Sequence, residues 1–204
     1  MDINSYTTEI QKLIQEVQEN RGKDPQTTIA CCKELEQYGL SKNDNALIGF
    51  ARFSLGETYY LMNDTANFYR EMILCMEPLK QIQEWGYLTM ANNMLGIMSL
   101  NRGNAPFAMD YYMQAIHYCQ EYRLPDLEWV VHMNMGNLYL SIGNPDSAIV
   151  HFESGYRYIK HHQDAENFVN TKTAVCIGLG KAYLMRGENN TSSDASGKVP
   201  RMDH

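Results

Sequence analysis

Long apolar runs and basic residues are both scarce in this sequence. No segment of its 204 residues approaches the roughly 18 consecutive apolar residues of a membrane-spanning helix. The N-terminal segment lacks the charged leader and the apolar core of a signal peptide. Acidic residues outnumber basic ones by 24 to 17, for a net charge of −7, and no basic stripe interrupts this excess. Because such a surface repels phosphate backbones, the sequence predicts no nucleic-acid partner. The lack of a long apolar run predicts no membrane partner.

Cysteines are few and show no pairing pattern. Their number is odd and their spacing irregular: Cys31, Cys32, Cys75, Cys119 and Cys176. Disulfide frameworks of secreted domains use even numbers of cysteines, so these thiols are predicted to act as small apolar side chains. The expected location is the reducing cytoplasm.

Motifs of enzymatic chemistry are also missing. The sequence contains neither a phosphate-binding glycine loop nor a nucleophile elbow. Metal-ligand spacing with cysteines or carboxylates is missing at five histidines, His117, His132, His151, His161 and His162. We therefore expect no catalytic residue, no metal site, no cofactor and no enzymatic activity.

Glycines, in contrast, recur at a regular interval. A segment typified by "NMGNLYLSIGN" occurs four times, and its leading glycines are 40, 40 and 44 residues apart. These leading glycines are Gly56, Gly96, Gly136 and Gly180. A glycine inside a helix costs about 1 kcal/mol relative to alanine. A cost that recurs needs a recurring reason, and we expect close approach of a neighbouring helix at each leading glycine.

A second slot lies seven residues after each leading glycine and accepts only Gly or Asn. It holds Asn63, Gly103, Gly143 and Gly187. These two residue types adopt a positive φ most readily, so the slot predicts a helix C-terminus. The next helices begin in "GNAPFA" and "GNPDSA", where Asn104 and Asn144 are predicted N-caps with a proline in the first turn.

A second helix is predicted in the units led by Gly56, Gly96 and Gly136. The residue sixteen positions after the leading glycine is large, and it is Met72, Tyr112 or Phe152. Small residues flank it at helical spacing in two of the units, a pattern typical of a helix packing against its neighbour. The pattern predicts helices over residues 4–20, 25–38, 45–62, 65–85, 87–102, 105–122, 126–142, 145–162 and 167–186. Pro78 is expected to kink or break the fourth helix.

The Leu-Gly-x-x-Tyr pattern, followed by a turn glycine and a small–aromatic–small series, resembles the tetratricopeptide repeat over residues 5–187. HEAT repeats share the unit length of about 40 residues but lack this signature. The resemblance implies an all-α fold, a right-handed α-solenoid of antiparallel helix pairs. We expect about four and a half repeats in residues 1–187. Residues 188–204 have almost no apolar content and are predicted to be a disordered tail.

The predicted array ends at Gly187 without a second helix to cover its last apolar stripe. Two explanations remain open: a second copy of the chain covers this face in a homodimer, or a fused domain covers it in a longer protein. Units of this kind resemble the sensory region of bacterial diguanylate cyclases of the GGDEF type and of peptide-sensing regulators. The alternative function is therefore the regulatory half of a signalling enzyme, whose catalytic domain is absent from this chain.

In tetratricopeptide stacks the first helix of each pair lines a concave groove. The resemblance places Asn134 and Asn137 where peptide-binding members hold an extended peptide backbone, and Asn93 and Asn101 one repeat away on the same face. A side-chain amide donates to a carbonyl and accepts from an N–H at the same time, which matches a peptide unit. The other reading is that exposed helix positions are simply polar.

Apolar residues on the same predicted face complete the candidate peptide-binding set. They are Phe53, Tyr60, Met90, Met94 and Met133. Flexible methionines and aromatic rings form adaptable pockets in peptide grooves, although about half of such positions belong to the core instead. The sequence therefore predicts a non-catalytic scaffold with a protein or peptide partner, whose identity it does not reveal.

Overall fold

The computed structural model describes residues 3–161 and 168–187, and within these ranges the secondary structure is helical throughout. A short 3₁₀ helix spans Ile3–Ser5. The α-helices are α1 (Thr8–Asn20), α2 (Pro25–Lys42), α3 (Asn45–Leu61), α4 (Thr65–Gln81), α5 (Trp85–Asn101), α6 (Ala105–Glu121), α7 (Pro125–Ser141), α8 (Pro145–His161) and α9 (Phe168–Met185). The predicted all-α class is confirmed. The predicted tail over residues 188–204 lies outside the described residues.

Each predicted helix is present, with its ends within about one turn of the prediction. The break expected at Pro78 does not occur, because α4 continues through this proline to Gln81. Pro78 lies in the last turn of α4, where its missing N–H removes a single hydrogen bond near the helix end. A proline in this position shortens the hydrogen-bonded helix very little, which explains why α4 tolerates it.

Side-chain caps begin most of the helices. Asn104 Oδ1 accepts from the Phe107 amide at 3.4 Å, and Asn144 Oδ1 accepts from the Ser147 amide at 3.1 Å, which confirms both predicted N-caps. Carboxylates do the same at the starts of α2, α3 and α4, where the capping residues are Asp24, Asp44 and Asp64. Four of these caps, Asp24, Asp64, Asn104 and Asn144, follow the same 40-residue interval as the glycines, and Asp44 lies midway between two of them.

Left-handed residues end the helices in two series. The predicted series is confirmed, with φ values of 57°, 76°, 74° and 76° at Asn63, Gly103, Gly143 and Gly187. A second series was not predicted: Asn43, Gln83 and Arg123 end α2, α4 and α6 with φ values of 53°, 59° and 54°. Gln and Arg seldom adopt this conformation, so residue type gave no signal for them.

The chain divides into two compact units, Met1–Ala91 (unit 1) and Asn92–His204 (unit 2), and the division falls within α5. In unit 1, α1 to α4 pack in chain order, each against the next. In unit 2, α6 to α9 do the same, and α7 also contacts α9. Consecutive packing of helix pairs is the arrangement of a helical repeat array. The right-handed twist and the single repeat domain over residues 1–187 stay predictions.

Close helix approach explains three of the four leading glycines, Gly56, Gly96 and Gly136. A Cβ atom on Gly56 would lie 2.7 Å from Met72 Cε, and one on Gly96 would lie 2.4 Å from Tyr112 Cε1. Each contact joins the first helix of a pair to the large residue sixteen positions later. Because real Cβ atoms do not approach other atoms this closely, only glycine fits without a shift of the neighbouring side chain.

The ring of Phe152 is the centre of the apolar core that α7, α8 and α9 share. A Cβ on Gly136 of α7 would lie 2.6 Å from its Cε1 atom, and one on Gly178 of α9 would lie 2.5 Å from the same atom. The fully buried ring of Phe152 therefore lies against two glycines, Gly136 and Gly178. Gly180, the leading glycine of α9, has no described atom within 4 Å of an added Cβ, so it forms no such contact.

The cysteines lie mainly in the core. Cys31, Cys32, Cys75 and Cys119 are buried, Cys176 is half-buried, and none of the five forms a disulfide. Burial raises the pKa of Cys31 to about 11 and that of Cys75 to about 12, so both remain protonated thiols. The prediction of small apolar side chains is confirmed for the four buried cysteines. Among the described helices, none combines the length and the apolar character needed to cross a membrane.

Candidate functional site

Three of the predicted peptide-binding residues belong to unit 1, and they differ in exposure. Phe53 is fully buried, and its ring contacts that of Tyr87 edge-to-face, with centroids 5.0 Å apart. Tyr60 is half-buried, with its ring centroid 5.7 Å from that of Phe68. Met90 is also half-buried. Phe53 is thus a core residue in this structure, whereas Tyr60 and Met90 keep some exposed surface.

An ion pair that was not predicted lies close to this part of unit 1. The Arg21 guanidinium donates to the carboxylate of Glu57 on α3. Burial raises the pKa of Glu57, and the bond from Arg21 opposes this rise. The two residues are 36 positions apart, and only the packing of α1 to α3 brings them together.

The predicted asparagines of unit 2 include one interacting pair. Asn134 Nδ2 on α7 donates to Asn93 Oδ1 on α5 at 2.8 Å, and both side chains are half-buried. Asn134 Oδ1 and Asn93 Nδ2 have no further partner among the described residues. Asn137 and Asn101 are exposed. At about 100° per residue, Asn134 and Asn137 lie roughly 60° apart on one face of α7.

The two predicted methionines of unit 2 differ in burial. Met133 is buried in the core around Phe152, and its sulfur would lie 3.2 Å from a Cβ added at Gly155. Met94 is half-buried on α5. Met133 therefore stabilises the packing of α7 on α8, and of the two only Met94 retains appreciable exposed surface.

A cleft of about 470 Å³ opens along a different face of α7. Its lining residues come from the end of α6, the first half of α7 and the last half of α8: Gln120, Pro125, Glu128, Trp129, His132, Ser154, Arg157 and Tyr158. His132 lies roughly 160° around the helix from Asn134, so α7 carries the asparagines and the cleft on opposite faces. We refer to this feature as the α7–α8 cleft.

Two aromatic rings form one wall of the α7–α8 cleft. Trp129 and Tyr158 stack with their centroids 5.7 Å apart and their planes at 16°. The Tyr158 hydroxyl donates to Asp126 Oδ1 at 2.5 Å. Burial and this bond to a carboxylate raise the pKa of Tyr158 to about 12. The hydroxyl is therefore a fixed donor to Asp126, and the wall presents ring surface.

Opposite charges line the same cleft. Glu128 Oε1 accepts from Gln120 Nε2 at 3.4 Å and lies 3.8 Å from His132 Nε2. On α8, Arg157 Nη2 donates to Ser154 Oγ at 2.8 Å. Arg157 forms no ion pair with any described carboxylate. The cleft thus combines a positioned carboxylate on one helix with a positioned guanidinium on the next.

A histidine pair closes the inner side of this region. Nδ1 of His132 and Nδ1 of His151 lie 2.8 Å apart, and the His151 ring stacks on Tyr139 with centroids 5.2 Å apart. Burial, and next the neighbouring His132, lower the pKa of His151 from 6.5 to about 4. Burial also lowers the pKa of His132, with Glu128 opposing this shift and Arg157 adding to it. At neutral pH both rings are neutral, so one Nδ1 donates and the other accepts.

This pair predicts a loss of stability in mild acid. The unfolded chain takes up a proton near pH 6.5, whereas folded His151 resists protonation down to about pH 4. The stability that neutral His151 contributes is complete above pH 6.5, and it is lost as the pH falls from 6.5 to about 4. We expect the urea midpoint to fall between about pH 7 and about pH 5, and to fall less in His151→Asn. The exposed Gln114, which does not titrate, gives the control, since Gln114→Ala should keep the wild-type pH dependence. Equal pH dependence in all three proteins would contradict the assignment.

The α7–α8 cleft was not predictable from the sequence, because its polar residues have the pattern of ordinary helix surface. Glu128, Trp129 and His132 recur at spacings of three and four, as do Ser154, Arg157 and Tyr158, so each set was predictable as one helix face. That the two faces meet depends on how α8 packs on α7. The spacing of His132 and His151 in the sequence carries no signal for their contact. Among the described residues, no cluster of three or more ligand-type side chains could hold a metal ion.

The last described helix exposes several apolar side chains. Ile177, Leu184 and Met185 of α9 are each more than half exposed, at 53%, 62% and 52%. This agrees with the expected apolar stripe at the end of the array. A homodimer or a fused domain on this face stays a prediction.

No protein family model matches this chain, and no curated protein matches it either. The class that the structure itself defines is an all-α, helical repeat-like array with units of about 40 residues and consecutive helix packing. That class is compatible with a tetratricopeptide-like fold.

Proposed function

We propose that this chain is a non-catalytic, tetratricopeptide-like scaffold that binds an extended peptide segment through the asparagine face of α7. The observation that carries the proposal is the hydrogen bond between Asn134 and Asn93, at 2.8 Å. It joins first helices of successive pairs, α5 and α7, which are the helices that line the groove in the repeat family that the sequence resembles.

The hydrogen bond prepares both amides for a peptide. It uses one donor of Asn134 and one acceptor site of Asn93, and it holds the two side chains in a defined orientation. Asn134 Oδ1 then remains available as a hydrogen-bond acceptor, and Asn93 Nδ2 as a donor. A peptide unit presents one N–H and one carbonyl, so the pair complements a backbone without reading its side chains. Because the amides are already ordered, less entropy is lost on binding.

Neighbouring residues suit the same ligand. Asn137 is exposed one turn further along α7 and extends the row of amides. Met94 is half-buried on α5 and offers a flexible apolar surface for a ligand side chain. Asn101 is exposed at the end of α5. The proposal assigns backbone binding to the asparagines and side-chain selectivity to Met94.

The test compares wild type with Asn134→Ala/Asn137→Ala. Partners captured from a lysate are identified by mass spectrometry, and the bound segment is then titrated as a synthetic peptide by isothermal calorimetry. Each lost amide leaves a buried peptide group unpaired, at about 1–3 kcal/mol per site. We therefore expect a loss of affinity of roughly tenfold or more.

A control variant removes two exposed amides of other helices, α2 and α6. Gln26 and Gln114 are exposed, so Gln26→Ala/Gln114→Ala should bind the peptide as wild type does. Circular dichroism checks that each variant is folded. A peptide that binds wild type and the Asn134→Ala/Asn137→Ala variant with equal affinity would refute the assignment of this face.

A further inference from the structure

The α7–α8 cleft has the size and the chemistry of a small-ligand site. Its volume of about 470 Å³ falls within the range of about 300–1,000 Å³ that ligand pockets occupy. Its wall is aromatic, and polar groups from two helices converge on it. It lies on the opposite face of α7 from the asparagines, so an occupant of the cleft and a peptide on Asn134 would not compete for the same atoms.

Glu128 is the acidic group of the cleft, and its neighbours orient it without cancelling its charge. Gln120 donates to Glu128 at 3.4 Å, and the Glu128 side chain is 32% exposed. His132, the cationic candidate nearest to it, is held neutral by burial, which lowers its pKa. A carboxylate that is positioned and not neutralised binds an ammonium group well.

Arg157 is the basic group of the cleft. Its bond to Ser154 at 2.8 Å uses one of five N–H donors and holds Nη2 against α8. The remaining donors match the two oxygens of a carboxylate, which guanidinium groups bind in a bidentate manner. The Ser154 hydroxyl lies beside them as a further polar group.

The aromatic wall favours an apolar group in the part of a ligand that lies between the two charges. Trp129 and Tyr158 stack on each other, and the Tyr158 hydroxyl is engaged by Asp126, so ring surface faces the cleft. Such a wall favours apolar groups of a ligand. A phosphate-rich ligand fits poorly, because Glu128 adds negative charge to the lining of the cleft.

We infer that the α7–α8 cleft binds a small zwitterion, a free amino acid or a short apolar peptide, whose carboxylate contacts Arg157 and whose ammonium group contacts Glu128. The inference goes beyond the proposed peptide scaffold and does not depend on it, since it uses other residues on another face of α7. It adds a second, small-molecule site to the chain.

The first experiment titrates the full chain with leucine and with the dipeptide Leu-Leu by isothermal calorimetry. The two probes distinguish a free amino acid from a short peptide as the source of the zwitterion. Saturable binding of either one supports the site. No saturable binding of either probe up to about 10 mM would overturn the inference, because a specific site of this size should exceed that affinity.

A mutant–ligand cycle then assigns each charge for the probe that binds. Arg157→Gln should lower the affinity for the probe with a free carboxylate roughly tenfold or more. It should leave the affinity for the C-terminal amide of the probe unchanged. Glu128→Gln should lower the affinity for the probe with a free ammonium group by a similar factor. It should leave the affinity for the N-acetyl form of the probe unchanged. If either variant weakens both forms of the probe equally, the side chain does not contact that charge and the pose is refuted.

Two control proteins separate this site from other effects. Lys181 is exposed on α9, and Lys181→Gln removes one positive charge from unit 2 outside the cleft, so it should bind the probe as wild type does. Asn134→Ala/Asn137→Ala should also bind the probe normally. Loss of probe binding in either control would overturn the assignment to the cleft, whereas failure of the peptide scaffold alone would leave probe binding intact.

Discussion

Replacing Phe53 with alanine should lower the free energy of unfolding by about 3–5 kcal/mol, the range for a large aromatic residue removed from a packed core. The side chain has no exposed surface, and its ring lies edge-to-face on Tyr87 at 5.0 Å. The substitution removes both the apolar burial and the ring contact, and it leaves a cavity that helices α3 to α5 cannot fill by small shifts. Urea denaturation followed by circular dichroism measures the loss.

The exposed Phe107 provides the matched control for this prediction. Its side chain is 60% exposed on α6, so Phe107→Ala should change the free energy of unfolding by about 0.5 kcal/mol or less. The comparison also decides the role of Phe53 that the sequence predicted. If Phe53→Ala kept full stability and lost only peptide binding, Phe53 would be a ligand residue and its place in the core would be wrong.

Replacing Gly136 with alanine should destabilise the protein by about 1–3 kcal/mol, even though alanine is the better helix former by about 1 kcal/mol. The added methyl group would lie 2.6 Å from the Phe152 ring. That ring cannot move away freely, because Gly178 of α9 lies against it as well. The overpacking therefore outweighs the gain in helix propensity.

Gly180 is the control for the same substitution in the same repeat slot. No described atom lies within 4 Å of a Cβ added there, so Gly180→Ala should raise the free energy of unfolding by up to about 1 kcal/mol through helix propensity alone. The two substitutions are thus expected to have opposite signs in urea denaturation. A stabilising effect of Gly136→Ala would show that Phe152 can shift, and that close packing is not the reason for the glycine.

Local chemistry accounts for the parts of the fold that could be predicted. A capping side chain such as Asn144 accepts a hydrogen bond from an amide three residues away, and a helix end such as Gly143 needs a positive φ within its own residue. Both signals are contained in a few consecutive residues. Arg123 has the same left-handed conformation, but its side chain does not favour it, so this helix end left no trace in residue type.

The candidate sites were less predictable, because exposure depends on neighbouring helices. The sequence placed Asn134 and Met133 in one ligand-binding set. They are adjacent in the chain, yet Asn134 hydrogen-bonds to α5 and Met133 is buried against α8. Only 100° of helix rotation separates them. A rotation of this size turns a groove residue into a core residue, and periodicity in one helix does not settle where the boundary between the two lies.

By itself, the sequence determined the helices, the caps Asn104 and Asn144, the four helix ends seven residues after the leading glycines, and the 40-residue unit. Each of these depends on backbone preference or on a repeated residue pattern. The tertiary structure alone decided the clamp of Gly178 on Phe152, the contact of His132 with His151 and the meeting of Glu128 and Arg157 in one cleft. These features join residues on different helices. Their geometry follows from how the helices pack on each other. The residue pattern within one helix does not specify which side chains of the next helix it will contact.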